Sequence, residues 1–93
     1  MFVASESIIS EKLTTLAGLP VGSRALIKRI MGGRHLIHRL LSLGLRVGSE
    51  IELIQRRGGG VVVANQGARI ALGSGVAEKL LMLPLDAARD PAD

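Results

Sequence analysis

The sequence predicts a mainly β domain: a small, partly closed barrel of about five short strands, with one short amphipathic helix inserted after the first main strand. Three observations lead there. Short runs alternate polar and apolar residues, most clearly Glu50-Ile51-Glu52-Leu53, and the strand period of two puts Ile51 and Leu53 on one face. Glycines punctuate these runs at close spacing, at Gly58-Gly59-Gly60, Gly67 and Gly73-Ser74-Gly75, as the corners of a barrel require. One stretch, 32–48, carries a helical period instead, and partial closure of the strands around it hides their edges.

At 93 residues the chain is one domain with a thin core, read as a flexible lead-in over 1–10, the barrel over 11–84 and a disordered tail over 85–93. Leu13, Leu16 and Leu19 precede Pro20 and Gly22, which predicts a short extended or single-turn segment closed by a turn. The run 23–30 sets Ala25 and Ile27 against Leu26 and Lys28, a strand with one face more apolar, ended by Gly32 and Gly33.

In the helix that follows, at about 100° per residue, Leu36, Leu40 and Leu43 share a stripe widened by Ile37 and Leu41, with His35, His38 and Ser42 opposite. Gly44 stands where a helix end needs a positive φ, and Leu45 can fold back onto the stripe. Gly48 turns the chain again into the strand 49–56. A hairpin tip at 57–60, the β-branched Val61-Val62-Val63, a turn at 65–67 and the alternating Ala68, Ile70 and Leu72 complete a three-stranded meander. One helical turn over 76–79 and an apolar closing strand over 80–83 follow, and Pro84 ends the domain.

Composition narrows the function. The single aromatic, Phe2, leaves no stacking platform for nucleic acid. Zero cysteines exclude disulfides, thiolate metal sites and a thiol nucleophile. No run approaches a membrane span, and the N-terminus lacks the pattern of a secretory signal, so a cytoplasmic protein is expected. Net charge is +4, concentrated in the middle: residues 24–57 hold eight basic and two acidic residues, a net of +6, and solvated arginines are the simplest reading of them.

His35 and His38 lie three apart on one helix face and supply two donors for a divalent metal, Fe2+ or Zn2+. A tight site needs more, from Glu50, Glu52, Glu78, Asp86 or a neighbouring subunit; two exposed histidines are the simpler reading. The glycine runs lack the Gly-Lys-Ser/Thr of a phosphate loop. No nucleophile, base and orienting group can be assembled, and Glu50 and Glu52 share one solvent face, so no enzyme is expected.

The run Arg39-Leu40-Leu41-Ser42-Leu43-Gly44-Leu45 with Gly48 three residues beyond closely resembles the ferrous-iron transport protein A (FeoA) family. Leu16 to Gly22, the strand through Ile27 to Ile30, Arg69-Ile70-Ala71-Leu72 and Ala77 to Leu83 extend the resemblance over residues 11–83. It implies an SH3-like barrel and a bacterial cytoplasmic protein, recruited to the inner membrane by the ferrous-iron transporter of the same system (FeoB) through that transporter's cytoplasmic GTP-binding domain. It also implies an accessory role with no required cofactor. Similar domains end iron- and manganese-dependent repressors, whereas here no helix-turn-helix precedes the domain. Ser42 and Val76 stand where the family is often acidic, and Val47 where it often has proline, so family carboxylates do not carry over as metal ligands.

Two surfaces are the expected partner-binding candidates: the helix face of Arg34, His35, His38 and Arg39, and the hairpin flanked by Arg56 and Arg57. A basic barrel binding nucleic acid through the +6 region, and a metal sensor built on His35 and His38, are the rival readings. Stable nucleic-acid binding is not expected, and a homo-oligomer is left open.

Overall fold

The computed structural model describes residues 12–85, so the expected lead-in and the tail from residue 86 lie outside the described residues. Six strands form one antiparallel sheet: β1 (Thr14–Thr15), β2 (Arg24–Ile30), β3 (Glu50–Arg57), β4 (Gly60–Asn65), β5 (Ala68–Gly73) and β6 (Leu80–Pro84), in the order β1-β6-β2-β3-β4-β5. A 3-10 turn (Leu16–Gly18) follows β1, helix α1 (Arg34–Ser42) links β2 to β3, and the one-turn helix α2 (Ser74–Ala77) links β5 to β6. The sixth strand beyond the five expected is the two-residue β1, in the segment read as extended or single-turn; it contains both. Leu85, assigned to the tail by the sequence, still donates its N–H to Arg24 O at 2.8 Å and is half-buried, so it prolongs the β6–β2 ladder.

Alternation does what it predicts in β2, β3 and β5, and in the continuous apolar runs of β4 and β6 the fold chooses the inward face. Ala25 and Ile27 of β2, Ile51 and Leu53 of β3, Val61 and Val63 of β4, Ile70 and Leu72 of β5, and Leu80 and Met82 of β6 face one buried cluster. Leu16 and Leu19 close one part of it, Ala77 of α2 and Leu40 with Leu45 others. One sheet enclosing one such cluster has to curl, which is the small SH3-like barrel. With no aromatic in the cluster, its stability comes from aliphatic burial, roughly 1.5–3 kcal/mol for each large side chain.

Two features were invisible in the pattern. The register shifts between Ile27 and Arg29 of β2 and between Leu53 and Gln55 of β3, each admitting one extra residue. Past the second bulge Arg56 pairs with the buried Val61, so parity turns Arg56 toward the core side of the sheet.

The end of α1 forms as the sequence predicts. Leu45 N–H donates to Leu40 O (2.8 Å), Gly44 N–H donates to Leu41 O (2.9 Å), and Gly44 takes φ 87°. This is a Schellman closure, with Leu45 and Leu40 both buried behind it. Gly48, at φ 99°, donates to Ile27 O and delivers the chain into β3. The stripe of α1 is narrower than predicted, however: Leu40 is buried and Leu36 half-buried, while Ile37 (37%), Leu41 (48%) and Leu43 (42%) are exposed. The helix meets the barrel along one line, so its flanking apolar positions have nothing to pack on.

The start of α1 is weaker than its end. Gly33 caps it with no side-chain bond, and its first turn holds no acidic residue but does hold Arg34 and His35. Two substitutions should therefore move stability in opposite directions in urea unfolding. Gly44→Ala should lower it by about 1–2 kcal/mol, the penalty of a left-handed L-residue. Gly33→Asp, whose Cβ meets open space, should raise it by about 0.5–1 kcal/mol through a cap and the helix dipole. An unchanged midpoint for Gly44→Ala would refute this account of the closure.

Candidate functional site

Two open grooves flank α1 and the loop that ends it. The first, about 750 Å³, lies between the loop after α1 and the β4–β5 turn, and its rim carries Arg24, Arg46, Glu50 and Glu52. Its charges are balanced and partly spent: Arg24 Nη2 donates to Glu50 Oε2 at 2.8 Å, and Asn65 Nδ2 donates to Gly44 O at 3.1 Å. The Gln66–Gly67 turn beside it has φ 51° and 87°, the mirror-image hairpin geometry that glycine favours at the second position.

The second groove, about 480 Å³, runs between α1 and the segment from the end of β5 to the start of β6. Leu36 and Val76 form its floor; His35, Arg39 and Lys79 form its rim; Gly73 and Gly75 leave one wall without side chains. No carboxylate lines it. The sequence missed Lys79 because only the fold brings the segment after α2 to the same groove as α1; the one signal was the glycine pair around Ser74, which leaves room there.

The candidate residues fall into three groups. His35 and Arg39, four apart, lie on the groove edge of α1. Arg34 and His38, also four apart, lie on another edge and line neither groove. Arg56 is engaged by the fold: Nη1 donates to Ala17 O at 2.6 Å and Nη2 to Leu19 O, so it ties β3 to the 3-10 turn. Arg56, expected as a partner contact, thus also has a structural role, and the bulge in β3 is the cause; its side chain stays exposed. Arg57, paired with Gly60 at the hairpin mouth, remains exposed.

For a metal, the fold separates the donors considered from sequence. Glu50 and Glu52 line the first groove and His35 the second. Among the described residues no three His, Asp or Glu side chains form a group able to hold one ion, and Asp86 lies outside them. Nor does any described helix have the length and hydropathy to cross a membrane.

Comparison with known proteins agrees with the resemblance read from the sequence. Residues 14–83 match the FeoA domain family. A protein of Methanocaldococcus jannaschii with the provisional name Fe(2+) transport protein A is 33% identical over 67 residues, covering 72% of this chain and 82% of the relative. The crystal structure of an iron uptake regulatory protein (FeoA) superposes with TM-score 0.74 at 25% identity, covering 80% of this chain and 100% of the other. A manganese-dependent transcriptional repressor superposes with TM-score 0.75 at 23% identity, over 82% of this chain and 44% of the repressor, a likeness of fold alone.

The placement of Arg56 yields a direct test. Arg56→Leu should lose about 1–2 kcal/mol of unfolding free energy, because two backbone carbonyls lose a charged donor that is itself partly in water. Arg57→Leu should change stability by less than about 0.5 kcal/mol. Equal losses for the two would show that the guanidinium does not hold the turn.

Proposed function

Because the chain belongs to the FeoA domain family, we propose that it is a non-enzymatic accessory module of ferrous-iron uptake that docks on the cytoplasmic GTP-binding domain of the membrane ferrous-iron transporter. The observation that carries the docking is the outward face of α1. Arg34 sits beside His35 in the first turn of a helix whose dipole disfavours a cation there, and no acidic residue in that turn offsets it. Both are exposed and neither makes a side-chain hydrogen bond or ion pair with another described residue, and a local rule broken without a structural gain marks a surface that serves something else. An acidic surface on the transporter's domain complements Arg34 and Arg39.

The grooves support a binding role over a catalytic one. The serine of the first groove, Ser49, accepts a hydrogen bond from Arg46 N–H at 3.1 Å and has no histidine beside it on that rim. The second groove has a histidine and no hydroxyl on its lining. Nucleic-acid binding through the +6 region is weakened as a reading, since Arg24 is paired with Glu50 and Arg56 with backbone carbonyls.

Calorimetric titration against the transporter's isolated GTP-binding domain tests the proposal. Binding should weaken as salt rises, and Arg34→Glu with Arg39→Glu should lower affinity by roughly tenfold, about 1.4 kcal/mol, without lowering stability. Deletion of the gene should reduce ferrous uptake. No binding at low salt together with unchanged uptake would sink the proposal.

A further inference from the structure

We propose that the groove between α1 and α2 is the docking site for an acidic, leucine- or isoleucine-bearing peptide segment of the protein partner. The inference rests on the docking reading above and names the place where docking occurs. Its rim is purely cationic or ionisable: His35, Arg39 and Lys79. None of the three makes a side-chain hydrogen bond or ion pair with another described residue, so the charges of Arg39 and Lys79 and the ring nitrogens of His35 are available to a ligand. The floor is apolar and only half covered, by Leu36 and Val76, which pack against the core from outside.

Charge on the rim and hydrocarbon on the floor select a ligand with both properties. A free anion satisfies the rim and leaves the floor wet. An aliphatic side chain flanked by carboxylates covers the floor and meets Arg39 and Lys79 together, giving one anchor in a pocket with charges around it. The groove is open to solvent, so a peptide segment can enter it, and about 480 Å³ holds a few side chains. A membrane surface fits less well, because a flat leaflet does not enter a recess. The exposed Ile37 and Leu41, beside Arg34 and His38, are on a different edge of the helix.

Gly75 makes a selective test possible. A Cβ there meets nothing within 4 Å and its φ is not positive, so Gly75→Leu places a side chain toward the groove without a clash at Cβ. Amide shift mapping on the full chain uses a short peptide of alternating glutamate and leucine, the same peptide with glutamine for glutamate, inorganic phosphate, and phosphatidylglycerol vesicles. The acidic peptide should shift Leu36, Arg39, Gly73, Gly75 and Lys79, and the glutamine version should bind at least roughly tenfold more weakly. Gly75→Leu and, separately, Arg39→Glu with Lys79→Glu should each lower peptide affinity by a similar factor, with unfolding midpoints kept near that of the parent.

Shifts confined to the Arg34 and Ile37 edge, equal affinity for the two peptides, or stronger binding of vesicles or phosphate than of the acidic peptide would overturn the inference. The transporter domain separates the two proposals. If it binds the parent chain and these variants equally, the groove fails and docking stands; if the acidic peptide maps to the groove while the transporter domain does not bind, the partner reading fails and the groove stands.

Discussion

Leu45 N–H bonded to Leu40 O at 2.8 Å, with both side chains buried, fastens the only long helix among the described residues to the sheet. The bond requires Gly44 in a left-handed conformation, and the closure sets where the chain turns toward β3. Among the described residues the core holds no aromatic side chain to seal the barrel, so Leu40 and Leu45 fill space that one phenylalanine would fill elsewhere. The cooperation runs both ways. The helix has nine residues and is too short to persist alone, so the barrel stabilises it as much as it covers the barrel.

How much of this could be read from the residues depends on the range of the interaction. Turn chemistry and period-two alternation are local, and Gly44, Gly48, the turn at 65–67 and the inward faces of β3 and β5 were legible. The width of the buried stripe on α1 was not, because periodicity says which residues share a side and not how far a neighbour extends over it. Ile37 and Leu41 fit the apolar stripe of any amphipathic helix and yet face solvent. The bulge at Leu53–Gln55 was not legible either, since an extra residue leaves composition unchanged while reversing the facing of everything after it. That reversal is what gives Arg56, an exposed cation, its structural tie to the 3-10 turn.

The charge distribution shows the same division. A net of +6 over residues 24–57 looks like one basic surface in the sequence, and folding sorts it by function. Arg24 joins Glu50 across β2 and β3 and is offset by that carboxylate, while Arg56 holds the Ala17 and Leu19 carbonyls, which fix its position and leave its charge in place; both relations span long sequence distances. Arg39 and His35 are joined instead by Lys79, forty residues from Arg39, in a groove that contains no carboxylate. The candidate site was thus half legible: the helix residues by spacing, the lysine only by tertiary placement.

The single line of contact between α1 and the barrel explains why one helix can serve both packing and recognition. Each residue off the Leu36–Leu40 line is free of the core, so both edges of the helix can change without opening a cavity. Cations in the first turn cost the helix a few tenths of a kcal/mol against its dipole, a small loss beside the several kcal/mol that Leu40 and Leu45 contribute by burial. The strong closure at the C-terminal end therefore tolerates a weak, positively charged start. Stability is concentrated at Gly44 and Leu45, the proposed recognition surface lies on the outward edges of the turns before them, and the two can be altered independently although they lie within a dozen residues of one another.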